Sequence, residues 1–178
     1  TLQKEVNTKK PCNGKDKTDN GKATRKREAL TKVQQEMFIK GIKNNAYELQ
    51  YKFLIQTGLR TGELVGLKWE DIDFDSGVLT INKTLYYKNQ SNYRFVEPKT
   101  KASVRHIVLD KCTLTYLSEW KEVQQNLIQT DFVMSYNGIP TQKHTLSYAI
   151  ERYAKLAGIH RIRIHGLRHS HASLLISM

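Results

Sequence analysis

The stretch Thr57-Gly58-Leu59-Arg60-Thr61-Gly62-Glu63-Leu64-Val65-Gly66-Leu67 decides how the rest of the chain is read. An arginine stands between two glycines, where two apolar helical runs meet. Phe53, Leu54 and Ile55 lead in, and Leu64, Val65 and Leu67 lead out. Gly58 suits the positive φ that ends a helix. Thr61 reads as the cap of the next helix, with Glu63 in its first turn. Arg60 then sits on a tight corner beside a helix N-terminus, facing away from the core. A planar, permanently charged fork in that place suits a phosphate oxygen. Taken alone, a helix–turn–helix junction with a solvated arginine is the simpler account.

Two further segments change that balance. His165-Gly166-Leu167-Arg168-His169 lies near the end of the chain, and a lysine-rich turn, Pro98-Lys99-Thr100-Lys101, lies between two predicted strands. The ordered set TGLRTGEL, PKTKxSxR and HGLRH closely resembles the catalytic domain of tyrosine recombinases, above all the integrases of phages and integrative conjugative elements. The resemblance covers roughly Leu30 to the end. Three motifs in order are far more specific than any one of them.

The net charge of +12 and the pI near 9.7 point to a polyanionic partner, nucleic acid before an anionic membrane surface. No apolar run is long enough to span a membrane, and no signal peptide is visible. Cys12 and Cys112 are too few and too far apart for a disulfide framework or a zinc site. A reducing cytoplasm is the simple expectation, with Cys112 a lone buried thiol and Cys12 an incidental exposed one.

Residues 1–28 hold nine Lys/Arg against four Asp/Glu, a net of +5, and almost no large apolar side chains. Such a segment cannot bury enough surface to offset its ordering entropy. It reads as a basic flexible linker, or the tail of a missing N-terminal DNA-binding domain. The domain proper is 29–178, which still carries +7 of the total +12.

Within it, Thr31 caps a helix with apolar face Val33, Met37, Phe38 and Ile42. After a break at Asn44-Asn45, a second helix runs from about Ala46 to Thr57. Trp69 packs against the short helix that follows Arg60, and Glu70, Asp71 and Asp73 form an exit turn. Three strands are expected at Val78–Lys83, Tyr93–Glu97 and Val104–Leu109, with a polar loop at Lys88–Asn92. Antiparallel pairing of the last two would put Lys99 and Lys101 at a hairpin tip. A helix over 110–129 presents Leu114, Leu117, Val123, Leu127 and Ile128. Another, capped by Thr141 and ended by Gly158, presents Leu146, Ile150, Tyr153 and Leu156. A last helix begins at His165, with Ala172, Leu174, Leu175 and Ile176 inside. The class is α+β, mainly α, and the resemblance makes it a helical recombinase catalytic domain with a small three-stranded antiparallel sheet.

The resemblance also implies a chemistry. A tyrosine hydroxyl attacks a DNA phosphodiester and joins the 3′ phosphate, with no cofactor and no metal. Charge builds on the non-bridging oxygens and needs preset cations, for which two arginine forks serve best. Those map to Arg60 and Arg168. The leaving 5′ oxygen needs a proton, which maps to Lys99, with Lys101 the alternative. His165 lies three residues before Arg168 on one helix face and suits a proton shuttle or a phosphate hydrogen bond. DNA binding is thereby expected of Arg60, Lys99, Lys101 and Arg168. His165 and His169 have the spacing of two zinc ligands, but the glutamate of HExxH is missing and no third ligand is evident. His169 is read as packing beside the site with a backbone hydrogen bond, and His171 as structural.

One departure stands out. Only ten residues follow Arg168, and none is a tyrosine. Tyr148 and Tyr153 precede the motif on a core-like helix, and Tyr86, Tyr87 and Tyr93 belong to the strands. The expectation is a fragment, truncated at both ends, of a longer site-specific integrase that assembles with other protomers on duplex DNA. The alternative is a non-enzymatic basic DNA-binding module. A third reading, a metal-dependent nuclease, would need clustered carboxylates near the arginines, and only Glu63 is close.

Overall fold

In a computed structural model that describes residues 29–89, 92–97 and 103–177, the described residues form six helices and five short strands. Helix α1 (Lys32–Ile42) starts at Thr31, whose hydroxyl accepts the Gln34 amide while the Gln34 side chain accepts the Thr31 N–H. This is the reciprocal N-terminal box that its sequence predicts. Its inner line is Gln35, Phe38 and Ile42; Val33 and Met37 are exposed, a correction to the expected face. The buried stripe runs along i, i+3 and i+7 from Gln35, whose amide reaches the Leu30 carbonyl.

Helix α2 (Glu48–Thr57) is nearly buried all round, and Tyr51, Phe53 and Leu54 are its core side chains. Gly58 ends it in the left-handed region at φ 61°, as expected. Helix α3 (Thr61–Val65) follows. Its cap is Arg60 rather than Thr61, which is its first residue. A 3-10 turn (Trp69–Asp71) leads into β1 (Ile72–Asp73).

The β region departs most from expectation. Strand β2 (Val78–Ile81) pairs with β1 on one side and with β5 (Arg105–Val108) on the other, giving a three-stranded antiparallel sheet. A separate hairpin joins β3 (Thr84–Asn89) to β4 (Asn92–Val96). The strands flanking the lysine turn therefore pair with different partners, and the expected hairpin between them does not form. Strand β3 is hidden in the sequence because residues 82–83 look like the tail of β2. They are instead the crossover at which the chain changes sheet.

Helix α4 (Lys111–Leu127) is capped by Asp110, whose carboxylate accepts the Thr113 N–H and hydroxyl. Its inner line is Thr113, Leu117 and Gln124, with Trp120 half-buried. Val123 and Leu127 point outward, and Cys112 is exposed rather than buried. Gln124 explains why a polar residue takes the apolar line. Its Oε1 accepts the Trp69 indole N–H at 2.8 Å, and its amide donates to the carbonyls of Phe132 (3.1 Å) and Ser135 (2.6 Å). Trp69 thus meets α4, with its ring against Phe74 and Lys121.

Helix α5 (Lys143–Leu156) is capped at Gln142; the Thr141 hydroxyl donates instead to the Met134 carbonyl. Leu146, Ile150 and Tyr153 are buried as expected, whereas Leu156 is exposed. Helix α6 (Ile164–Ser177) begins one residue before His165. Ala172 is exposed, and the side chains expected inside at 174–176 lie outside the described residues. Helix α2 packs on α6, α1 on α5, and α3 on β3, so the corner at Arg60 lies where the helical layer meets the hairpin. No described helix is long and apolar enough to cross a membrane.

Replacing Gln124 with Leu keeps the volume but strands the Trp69 N–H and two carbonyls. A buried unsatisfied group costs about 1–3 kcal/mol. The expected loss is about 2–4 kcal/mol, read as a lower urea midpoint with an unchanged slope.

Candidate functional site

The site begins with backbone geometry. A Cβ at Gly58 would fall 2.5 Å from the His171 ring, so only glycine lets α6 approach the end of α2 this closely. Two α6 side chains, one turn apart, then dock on α2's terminal carbonyls. Arg168 donates from Nη1 to the Gly58 carbonyl at 2.5 Å, and His171 Nδ1 meets the Ile55 carbonyl at 2.9 Å. A cation at a helix C-terminus is favoured by the macrodipole as well. The two motifs, 108 residues apart from Arg60 to Arg168, are joined by this docking.

Glu63 organises the rest. Its side chain is 4% exposed, and each oxygen accepts two N–H groups. Oε1 receives Nη1 of Arg60 at 2.9 Å and Nη1 of Arg105 at 3.1 Å. Oε2 receives the Arg60 backbone N–H at 2.8 Å and Nη2 of Arg105 at 2.8 Å. Burial alone would raise the carboxyl pKa; the Arg105 fork and the two Arg60 hydrogen bonds outweigh it and hold it below the ordinary range. Arg105 comes from the first position of β5 and also donates to the Ser103 carbonyl. Glu63 therefore ties a strand to the arginine corner.

Arg168 is close enough to feel the whole group. Burial, and then the like charges of Arg60 and Arg105, pull its pKa down, while Glu63 raises it. The side chain stays charged in any case. Three guanidiniums and one carboxylate thus share a small volume with a net positive charge. Arg60 remains 48% exposed and gives Glu63 only one side-chain N–H.

Of the residues singled out by sequence, the structure brings Arg60 and Arg168 together. His165 stands exposed on the first turn of α6, one turn before Arg168, with its ring edge-to-face to His169 at 6.3 Å. Lys99 and Lys101 lie outside the described residues. The backbone hydrogen bond expected of His169 is made by His171; His169 is exposed. Among the described residues no three His, Cys, Asp or Glu side chains are grouped to hold a metal.

Two cations were missed. Arg105 was visible in the PKTKxSxR motif without a role, because its partner is 42 residues away. Lys143, at the start of α5, lies against the corner: a Cβ at Gly62 would meet its Nζ at 2.9 Å and the Thr84 methyl at 2.6 Å. It is half-buried, has no anionic partner among the described residues, and burial draws its pKa below the usual lysine range.

This helical layer with its small sheet has the fold of tyrosine recombinase catalytic domains. It superposes on the Tn1549 transposon integrase in complex with transposon right end DNA with a TM-score of 0.77, at 22% identity over 87% of this chain and 55% of that one. A lambda integrase dimer bound to a COC' core site gives 0.61 at 19% identity over 90% and 54%. The chain belongs to the phage integrase family, whose model matches residues 28–178. The ICEBs1 integrase of Bacillus subtilis (strain 168) is 32% identical over 71% of this chain and 36% of its own length. The tyrosine recombinase XerC-like protein of Caldanaerobacter subterraneus subsp. tengcongensis is 29% identical over 94% and 49%. The chain therefore spans half or less of these curated relatives.

The depressed pKa of Glu63 has a definite sign. Its contribution to stability is fully present above the unfolded carboxylate range and is lost as pH falls through the lower, folded value. Glu63→Gln should cost about 1–3 kcal/mol at neutral pH. It should also flatten the acid arm of a melting-temperature profile; an acid arm as steep as wild type would show that Glu63 does not titrate in this way.

Proposed function

We propose that this domain binds duplex DNA and stabilises the charge that builds on one phosphodiester during site-specific strand cleavage and rejoining in a larger integrase. The observation that carries this reading is the meeting of Arg60 and Arg168 at the Gly58 corner, from two motifs distant in sequence. Two preset guanidiniums match the two non-bridging oxygens of a phosphate, and donors already in place cost no reorganisation as charge develops. His165 serves as a proton relay or phosphate hydrogen-bond donor beside Arg168. Lys99, or Lys101 in its place, protonates the leaving 5′ oxygen.

The attacking group in this reading is a tyrosine, and none of the chain's nine follows the HGLRH motif, where the resemblance expects it. The hydroxyls of Tyr51, Tyr87, Tyr116 and Tyr136 donate to Leu146, Pro140, Gln56 and Gln50 respectively. Tyr153 is buried, and Tyr148 is 82% exposed on α5. The whole protein would act in the cytoplasm, as an assembly of protomers on DNA that integrates or excises a mobile element. The non-enzymatic alternative needs only phosphate contacts and predicts no adduct in any context.

Binding to a short mixed-sequence duplex should weaken steeply with salt, and Arg60→Ala should reduce the slope of log K against log salt by about 1. A flat wild-type slope would remove phosphate contacts as the source of affinity. The 178-residue chain should form no covalent adduct on a suicide substrate. In a protein that does form one, Arg60→Ala or Arg168→Ala should abolish most of it. Lys99→Ala should be rescued by a 5′-bridging sulfur, which leaves without a proton. Adduct formation by the 178-residue chain itself would make one of its own tyrosines the nucleophile.

A further inference from the structure

We propose that Arg105 is a positioning residue: by occupying Glu63 through a two-point fork, it leaves the Arg60 guanidinium free to face a phosphate. The proposal rests on the phosphate reading of the corner given above. It starts from the acceptor capacity of one carboxylate. Two oxygens offer about four lone-pair sites, and at Glu63 all four are used. Arg105 takes one on each oxygen, in the parallel geometry that makes Arg–carboxylate pairs strong. The Arg60 backbone N–H takes another. A single site remains for the Arg60 side chain, at 2.9 Å.

The division of labour follows from burial. Arg105, on a sheet strand, is 27% exposed, against 48% for Arg60 on its corner. The deeper arginine neutralises the buried carboxylate, and the shallower one keeps most of its donors directed elsewhere. Among the described residues, Glu63 is the only acid that hydrogen-bonds the Arg60 side chain. Without Arg105, two acceptor sites on Glu63 would open beside the Arg60 fork. The buried charge would then draw Arg60 into the two-point pair itself, because an uncompensated carboxylate in that place is costly. Arg60 would still be present, but turned inward.

Binding of the 178-residue chain to a short mixed-sequence duplex, followed by fluorescence anisotropy across a salt series, tests this. Arg105→Gln should lower the slope by about 1, the same loss as Arg60→Gln, and combining the two should add nothing further. The double variant Glu63→Gln/Arg105→Gln should recover the wild-type slope, because a neutral amide no longer pulls on Arg60. Combining Arg105→Gln with Glu119→Gln on the exposed face of α4, which restores net charge equally, should give no recovery. Arg105→Lys keeps the charge without the fork and should lose part of the slope. It carries the test if circular dichroism shows Arg105→Gln unfolded at the assay temperature.

An unchanged slope in the Arg105 variants would overturn the proposal. So would the absence of rescue by Glu63→Gln. Fully additive losses with Arg60→Gln would overturn it in favour of Arg105 as an independent phosphate contact. A flat slope in the wild-type chain is a different result: it overturns the phosphate reading, and this proposal falls with it.

Discussion

Three guanidiniums held close together repel one another, and the corner depends on a single buried carboxylate that offsets them. Glu63 is both the anion and the joint, because its partners come from separate elements. Arg60 lies just before α3, Arg105 on β5, and Arg168 on α6 feels the field of all three. In a low-dielectric pocket such a pairing stabilises only if every lone pair is used, and here each oxygen accepts two N–H groups. The net positive charge that remains is what an incoming anion would meet.

The backbone makes this density of charge possible. Gly58 ends α2 with a carbonyl turned toward α6 and offers no side chain to hold α6 away. Gly62 does the same toward Thr84 and Lys143. Helix termini, rather than helix faces, do the recognising: Arg168 and His171 read the last carbonyls of α2. These contacts also order the proximal side of α6, so the arginine that would face a substrate is held by the same bond that packs the helix.

Much of this was legible in local sequence. Thr31 with Gln34, Gly58 after an apolar run, and Gly158 after α5 each act within a few residues, and local hydrogen bonding decides them. What failed was non-local. The order β1-β2-β5, with β3 and β4 set apart, follows from which edges are covered, and strand propensity carries no such information. Hydrophobicity alone places the apolar stripes of α1 and α4 on Val33 and Val123. Gln35 and Gln124 displaced Val33 and Val123 because their amides meet buried carbonyls, a need invisible without the partner. In the site, Arg60 and Arg168 were legible as motif residues. Arg105 stood in a motif too, but its function is a contact across 42 residues to Glu63. The lysines of the turn lie outside the described residues.

The same electrostatics bear on the reactivity of the chain's tyrosines. A phenol becomes a better nucleophile as its pKa falls, and burial without a cation does the reverse. Tyr136 is pushed up to about 12, chiefly by burial, and Tyr51, Tyr87 and Tyr116 are raised further still for the same reason. Each of those hydroxyls also donates to a fixed acceptor within the fold. A hydroxyl brought to the Arg60–Arg168 corner would meet the opposite field, one that favours the phenolate. The fold therefore uses these four tyrosines as packing groups, while the corner it builds would activate a tyrosine placed there.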